Sequence, residues 1–159
     1  MKKYALVALF AVVVFGMAFA TTTATGSVSI SGTVSEIFTL AVPTTYTGTI
    51  ANGSSAETWA IGNVKVTSNV KNWTITLSSG NSGYLVNSAD GTEKIAYTVT
   101  LGTLTSSAQS LSSPWTSAAQ GRTLKDGTSY ALAASFGPST DYYQAGTYSD
   151  SITVTITHS

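Results

Sequence analysis

The chain has 159 residues, with seven basic and seven acidic side chains and a formal net charge of zero. Charged residues make up only 9% of the chain, against about 25% in ordinary soluble domains, and no basic run provides the patch that nucleic-acid binding requires. The absence of cysteine excludes disulfide bonds, so the fold must be held together by its core and its strand ladders.

Residues 1–20 have the pattern of a secretory signal peptide. Lys2 and Lys3 form a short basic region, residues 4–19 are almost entirely apolar, and Ala18 and Ala20 supply the small residues of a cleavage site. The apolar run is shorter than the roughly 20 residues that a membrane-spanning helix needs. We therefore expect cleavage after Ala20, which leaves residues 21–159 as a single domain without a membrane span.

The polar residues of this mature region are mainly hydroxylic. Residues 21–159 contain 27 Thr and 23 Ser, but only five basic and seven acidic side chains, a net charge of −2. Threonine is β-branched and suits the pleated surface of a strand. The composition is typical of an exported all-β domain.

Apolar residues alternate with Thr and Ser along most of the chain, and this period of two predicts β-strands. The predicted strands cover residues 27–34, 37–42, 47–51, 59–68, 72–78, 84–86, 94–101, 128–136 and 145–157. A bulge is expected at Gly62 and Asn63 and a turn at Asn52 and Gly53. Residues 69–72 are short enough to connect their two flanking strands as a hairpin.

Each predicted strand has one apolar face and one hydroxyl-bearing face, and no helical stripe occurs outside the leader. Two antiparallel sheets that pack their apolar faces together satisfy this pattern. The predicted fold is therefore an antiparallel β-sandwich of about eight or nine strands.

The residues of common catalytic and metal sites are scarce. His158 is the only histidine and the penultimate residue, which suits neither a Ser-His-Asp triad nor a zinc site. Asp90 and Asp126 precede glycines in turns, where an aspartate usually bonds to its own backbone. We expect no catalytic residue, no cofactor and no metal, with a calcium site made of loop carboxylates as an alternative.

The aromatic residues divide into two groups. Trp73, Tyr97 and Tyr130 alternate in phase with aliphatic neighbours, which predicts that they lie in the core. Four others lie at strand ends or in loops: Trp59, Trp115, Tyr142 and Tyr143. These four rings could close the open ends of a sandwich, where large rings bury much area, or they could stack on a sugar.

Two segments carry a family resemblance. Residues 26–34, Gly-Ser-Val-Ser-Ile-Ser-Gly-Thr-Val, resemble the opening strand G-x-V-x-[FI]-x-G-x-V of bacterial fimbrial subunits. Residues 145–156, Ala-Gly-Thr-Tyr-Ser-Asp-Ser-Ile-Thr-Val-Thr-Ile, are similar to the ending of the spore coat protein U and fimbrial-like group. The resemblance implies an immunoglobulin-like sandwich, export, and a structural, adhesive or coat role without catalysis.

The chain departs from this group in two respects. Members often have a disulfide near the first strands, whereas this chain has no cysteine. Fimbrial subunits that polymerise by strand donation have an extension before the opening strand, whereas only residues 21–25 precede it here. Donation would then use residues 27–34 themselves, with Val28, Ile30 and Val34 filling a groove on a neighbour.

The leading functional hypothesis is an exported, non-catalytic structural or adhesive protein of the bacterial surface or periplasm, pilin-like or coat-like, that assembles through edge strands. The terminal strands carry neither the Lys nor the Pro that usually blocks edge pairing. The candidate assembly residues are Val28, Ile30, Val34, Tyr148, Ile152, Val154 and Ile156. The candidate partners are the chain itself or a related subunit, a periplasmic chaperone, and surface carbohydrate.

The alternative hypothesis is a carbohydrate-binding module that uses Trp59, Trp115, Tyr142 and Tyr143. It requires these rings to form an exposed, coplanar row, so their burial distinguishes the two hypotheses.

Overall fold

The computed structural model describes residues 22–51 and 55–159. The chain divides into two units, Met1–Thr33 and Val34–Ser159, and all of the regular secondary structure described here belongs to the second. The predicted leader at residues 1–20 and the predicted turn at Asn52 and Gly53 lie outside the described residues.

The second unit is all-β, with two antiparallel sheets in a sandwich-like arrangement. Its ten strands and one short 3₁₀ helix are β1 (Phe38–Ala41), β2 (Glu57–Ser68), β3 (Thr74–Ser79), β4 (Tyr84–Asn87), β5 (Lys94–Leu101), η1 (Gly102–Leu104), β6 (Gln109–Ser110), β7 (Trp115–Thr116), β8 (Thr128–Phe136), β9 (Tyr148–Ser149) and β10 (Ile152–Thr157). The large sheet has the order β1-β2-β8-β5-β4-β9, with β6 beside β5, and the small sheet has the order β10-β3-β7. The predicted sandwich is confirmed.

The core lies between the sheets and follows the alternation of the sequence. Its buried members are Val64, Val66, Trp73, Ile75, Leu77, Ile95, Tyr97, Val99, Leu101, Leu111, Tyr130, Leu132, Ala134 and Phe136. The core positions predicted for Trp73, Tyr97 and Tyr130 are confirmed. The Trp73 indole N–H also donates to the Gly121 carbonyl at 2.5 Å, which satisfies its polar atom.

Hydroxyl pairs connect neighbouring strands on the opposite, outward faces. Thr58 lies 2.8 Å from Ser135 between β2 and β8. In the small sheet, Thr76 pairs with Thr116 at 2.9 Å and Thr74 with Thr157 at 3.0 Å. Such cross-strand contacts each contribute a few tenths of a kcal/mol, about 0.2–1.

The register of β2 shifts between Ala60 and Gly62, which confirms the predicted bulge. Gly62 has φ +145, and a Cβ atom there would lie 2.8 Å from Pro43. Glycine therefore permits both the backbone conformation and the close approach of the chain after β1.

The predicted hairpin across residues 69–72 is wrong. β2 pairs with β1 and β8, whereas β3 pairs with β10 and β7 in the other sheet. The connection therefore crosses from one sheet to the other. β2 and β3 are not neighbours in one sheet, and their apolar faces pack into the core from opposite sheets. At the end of β2, where the chain leaves the large sheet, the Ser68 N–H donates to Thr123 Oγ1 at 2.9 Å.

The long strand predicted over residues 145–157 is divided in two. β9 pairs with β4 in the large sheet, and β10 pairs with β3 in the small sheet, so the chain changes sheets at Asp150 and Ser151. The strand predicted over residues 47–51 is wrong, because residues 42–51 contain no strand.

Candidate assembly groove

The opening segment at residues 27–34 does not form the predicted strand in this structure. Its apolar side chains are almost fully exposed, at 87% for Val28, 92% for Ile30 and 86% for Val34. Side chains added at Gly26 and Gly32 would meet no atom within 4 Å. The alternation that predicted a strand is therefore present in a segment that has no strand partner among the described residues.

A groove of about 320 Å³ opens into the sandwich. Its inner wall consists of core residues of β8, including Leu132 and Phe136, and one side is formed by Trp59 and Ile61 of β2. Residues 42–46 and the β9–β10 segment line the rest, with Ile152 and Val154 of β10 facing the cavity. Most of this lining is aliphatic or aromatic.

β10 forms a free edge along this groove. It is the terminal strand of the small sheet, and among residues 22–51 and 55–159 it pairs only with β3. Its inward residues Ile152, Val154 and Ile156 are half-buried, whereas Ile75 and Leu77 on β3 are fully buried. Because one edge has no partner, alternate N–H and C=O groups of β10 are available to another strand.

The far end of β10 is closed against the start of β1. His158 packs edge-on against the Phe38 ring, with 4.7 Å between ring centroids. His158 Nε2 also lies 3.0 Å from Glu36 Oε1. The edges of β1 and β10 therefore meet at this end, whereas the residues that line the groove include Tyr148 and Ile152, at and beyond the start of β10.

Asp150 lies in the lining of the groove, between β9 and β10. One of its carboxylate oxygens, Oδ2, accepts hydrogen bonds from Tyr97 Oη and Ser79 Oγ, both at 2.5 Å. The other, Oδ1, accepts from the backbone N–H groups of Asn81 at 2.9 Å and Ser151 at 2.7 Å. Because Tyr97 belongs to the large sheet and Ser79 to the small one, this carboxylate connects both sheets.

The tyrosine in this network is strongly perturbed. Burial raises the pKa of Tyr97 well above its usual value, and the hydrogen bond to Asp150 raises the pKa further. The phenol therefore stays protonated and donates to Asp150. Asp150 belongs to the segment at residues 145–156 that carries the family resemblance, but the sequence gives no sign of its partners Tyr97 and Ser79, because they lie on distant strands.

The structure buries three of the four residues proposed for sugar stacking, at least in part. Trp59 packs edge-on against Phe136, with 4.8 Å between ring centroids, while Trp115 and Tyr143 are partly buried against the core. Tyr142 is 87% exposed. Only one of the four rings is thus fully presented to solvent, and these residues form no exposed row.

The described residues contain no group of three or more His, Cys, Asp or Glu side chains placed to hold a metal ion. Among the same residues, no helix has the length and apolar character required to cross a membrane.

Comparisons with known proteins do not assign a function to this groove. No protein-family model matches the chain, and no curated protein is significantly similar to it.

Proposed function

We propose that this chain is an exported, non-catalytic structural protein of the bacterial surface or periplasm, which assembles when residues 27–34 of one copy add a strand to the groove of another. One observation supports this proposal: the same chain has a free strand edge beside a partly open core and an exposed apolar segment. Strand addition is a common mode of recognition that uses such edges.

The segment is long enough to pair along the whole of β10. Eight extended residues span roughly 26 Å, and the six residues of β10 span roughly 20 Å. Val28, Ile30 and Val34 project on one side of an extended segment, and Gly32 occupies the same side without a side chain. This face would cover Ile152 and Val154, while the intervening Ser and Thr residues would face water.

Favourable association also requires hydrogen bonds between the donated segment and β10. Burying three aliphatic side chains contributes roughly 5–9 kcal/mol, whereas association costs about 4–15 kcal/mol. Apolar burial alone is therefore marginal. Hydrogen bonds along the free edge of β10, each worth about 1 kcal/mol, would make association favourable.

Disulfide trapping tests this proposal because the chain has no cysteine of its own. Copies that carry only Ile30→Cys (donors) are mixed with copies that carry only Val154→Cys (acceptors) and oxidised, using the chain from residue 21. We expect a disulfide-linked dimer. Acceptors with Thr155→Cys, on the outward face of the same strand, provide the matched control and should cross-link much less.

A second comparison distinguishes assembly between copies from filling of a chain's own groove. The double variant carries both Ile30→Cys and Val154→Cys in one chain. Assembly between copies would be contradicted if this variant formed only an internal disulfide and the mixture of single variants formed no dimer. Replacing Ile30 by Asp should also abolish higher oligomers in sedimentation, whereas Ser29→Asp adds the same charge on the polar side and should preserve them.

The carbohydrate-binding alternative receives less support from the geometry. Three of its four rings are partly buried, and only Tyr142 is largely exposed. Binding of a polysaccharide that is lost on Tyr142→Ala, with no disulfide-linked dimer, would favour it over assembly.

A further inference from the structure

The charged side chains of the described residues are divided between the two ends of the sandwich. Four of the five cations lie at one end, here called the basic end: Lys65, Lys71, Arg122 and Lys125. Five of the seven carboxylates lie at the other, here called the acidic end: Glu57, Asp90, Glu93, Asp141 and Asp150. The basic end also contains Glu36 and Asp126, and the acidic end contains Lys94, so their net charges are +2 and −4.

The strand registers establish which end each residue occupies. β2 begins at Glu57, level with Phe136 at the end of β8, and it finishes at Ser68. The turn before β8 and the connection before β3 therefore lie together beyond Ser68, where Thr123 N–H donates to the Ser68 carbonyl at 2.9 Å.

The other end follows from β5 and its neighbours. Tyr97 is level with Phe136, so Lys94 and the preceding turn lie beyond the start of β2. The loop that contains Asp141 leaves β8 at Phe136 and leads to β9 at the same end.

The cations of the basic end are accessible and have no ion-pair partner. Lys71, Arg122 and Lys125 line a shallow concavity of about 610 Å³. All four cations are exposed, and none forms an ion pair with a carboxylate within residues 22–51 and 55–159. Of the two carboxylates at this end, Glu36 lies 3.0 Å from His158, and Asp126 follows Lys125 in the turn before β8. The four cations exceed these two carboxylates, so the basic end has a net positive charge.

The donated segment joins the sandwich at the basic end, and part of the groove lining lies at the acidic end. The chain enters the sandwich at the basic end, because Phe38 is level with Ser68. Tyr148 and Asp150, which line the groove, lie at the acidic end, because Tyr148 is level with Asn87 and Asp150 accepts from Tyr97. A segment that leaves one copy and enters another would therefore bring the basic end of the donor toward the acidic end of the acceptor.

We infer that copies of this chain meet head to tail, with the basic end of each donor in electrostatic contact with the acidic end of its acceptor. This inference rests on the proposed function, since it gives the polarity and the steering of the same assembly. Head-to-tail contacts use two different surfaces and extend into open filaments when the rotation does not close. Opposite charges at the meeting surfaces accelerate encounter about 10–1000-fold at low ionic strength.

The test measures the initial rate of disulfide-linked dimer formation between Ile30→Cys donors and Val154→Cys acceptors. Lys71→Glu with Lys125→Glu is introduced either into the donor or into the acceptor. The product of the donor's and the acceptor's net charges is the same in both mixtures. The mixtures therefore differ only in which of the two partners carries the reversed residues. We expect the donor variant to slow cross-linking about tenfold or more near 0.02 M salt and less than twofold near 0.5 M salt.

The acceptor variant should change the rate less than threefold, because the basic end of the acceptor takes no part in the contact. Acceptors with Glu93→Lys and Asp141→Lys should restore the rate with the reversed donor, because both changes lie at the acidic end. Equal slowing by the donor and acceptor variants would show general repulsion and would overturn the inference. All four residues are exposed, so melting curves should confirm unchanged folding.

The outcomes separate this inference from the proposed function. Absence of cross-linking in every mixture would contradict strand donation itself. Cross-linking at equal rates in all variants would leave donation intact and refute the electrostatic contact. Retention of the wild-type chain on alginate, lost with Lys71→Glu and Lys125→Glu while cross-linking rates are unchanged, would assign the cations to an anionic polysaccharide and overturn the inference.

Discussion

Replacing Asp150 by Asn tests whether a single carboxylate connects the two sheets. The substitution keeps the size of the side chain but removes its charge and converts one acceptor oxygen into a donor NH2 group. Both carboxylate oxygens currently accept two hydrogen bonds each. Whichever way the amide is turned, two donors will therefore face its nitrogen.

The hydroxyl side cannot easily adapt to that change. Ser79 Oγ already accepts from the backbone N–H of Gly83 at 2.7 Å and of Asn81 at 3.2 Å, so it has no lone pair left for the amide. Hydrogen bonds to a charged group contribute about 1.5–3 kcal/mol and neutral ones about 1 kcal/mol. Because Asp150 is half-buried and water can replace part of the network, we expect a loss of about 2–4 kcal/mol.

Urea unfolding of the chain from residue 21 measures this loss. For a slope of about 2 kcal/mol per M, the midpoint should fall by about 1–2 M. Asp126→Asn is the matched control, because Asp126 is exposed in a turn, and its midpoint should remain within about 0.3 M. An Asp150→Asn midpoint equal to that of the control would refute the structural role of the carboxylate.

Two further predictions concern backbone geometry and pH. Gly127 has φ +82, and a Cβ atom there would lie 2.5 Å from Thr67 Oγ1, so Gly127→Ala should cost about 2 kcal/mol or more in unfolding free energy. Gly121→Ala, which meets no atom within 4 Å, should be nearly neutral by the same measurement. Burial raises the pKa of both Tyr97 and Tyr130 in the folded chain. Their contribution to stability is thus complete below about pH 10 and is lost as the pH rises above it, by at most about 1.4 kcal/mol per pH unit for each phenol. Urea midpoints between pH 9 and 11.5 should decline less steeply for Tyr97→Phe than for wild type, and identical declines would contradict the assignment.

Local patterns in the sequence were sufficient to predict most strands. The strands at residues 94–101 and 128–136 have the predicted bounds, because the alternation in each reflects one buried and one exposed face. The bulge at Gly62 was predictable for a similar reason, since a break in the period of two must be absorbed locally.

The assignment of strands to sheets was not predictable in the same way. Alternation shows which face of a strand is buried, but in a sandwich both sheets bury their inner faces, so the pattern does not say which sheet a strand joins. For this reason the crossing at residues 69–72 resembled a hairpin, and β9 and β10 resembled one strand.

The candidate site shows a further limit of the sequence. Residues 27–34 have the pattern of a strand, but a strand also needs a pairing partner, and the isolated chain provides none among the residues described. The partners of Asp150 and the clustering of Lys71, Arg122 and Lys125 depend on contacts between distant positions. Such contacts leave no local signal.

The paired hydroxyls between Thr58 and Ser135, and between Thr76 and Thr116, have a consequence for the environments that the sandwich can tolerate. Alcohol groups neither gain nor lose protons in ordinary aqueous media, and dissolved ions screen charges but not neutral dipoles. Broad surfaces built from them should therefore keep the same hydration in acidic, alkaline or saline surroundings. Sensitivity to the medium is left to the few ionisable groups, which are the charged residues at the two ends and the buried tyrosines Tyr97 and Tyr130.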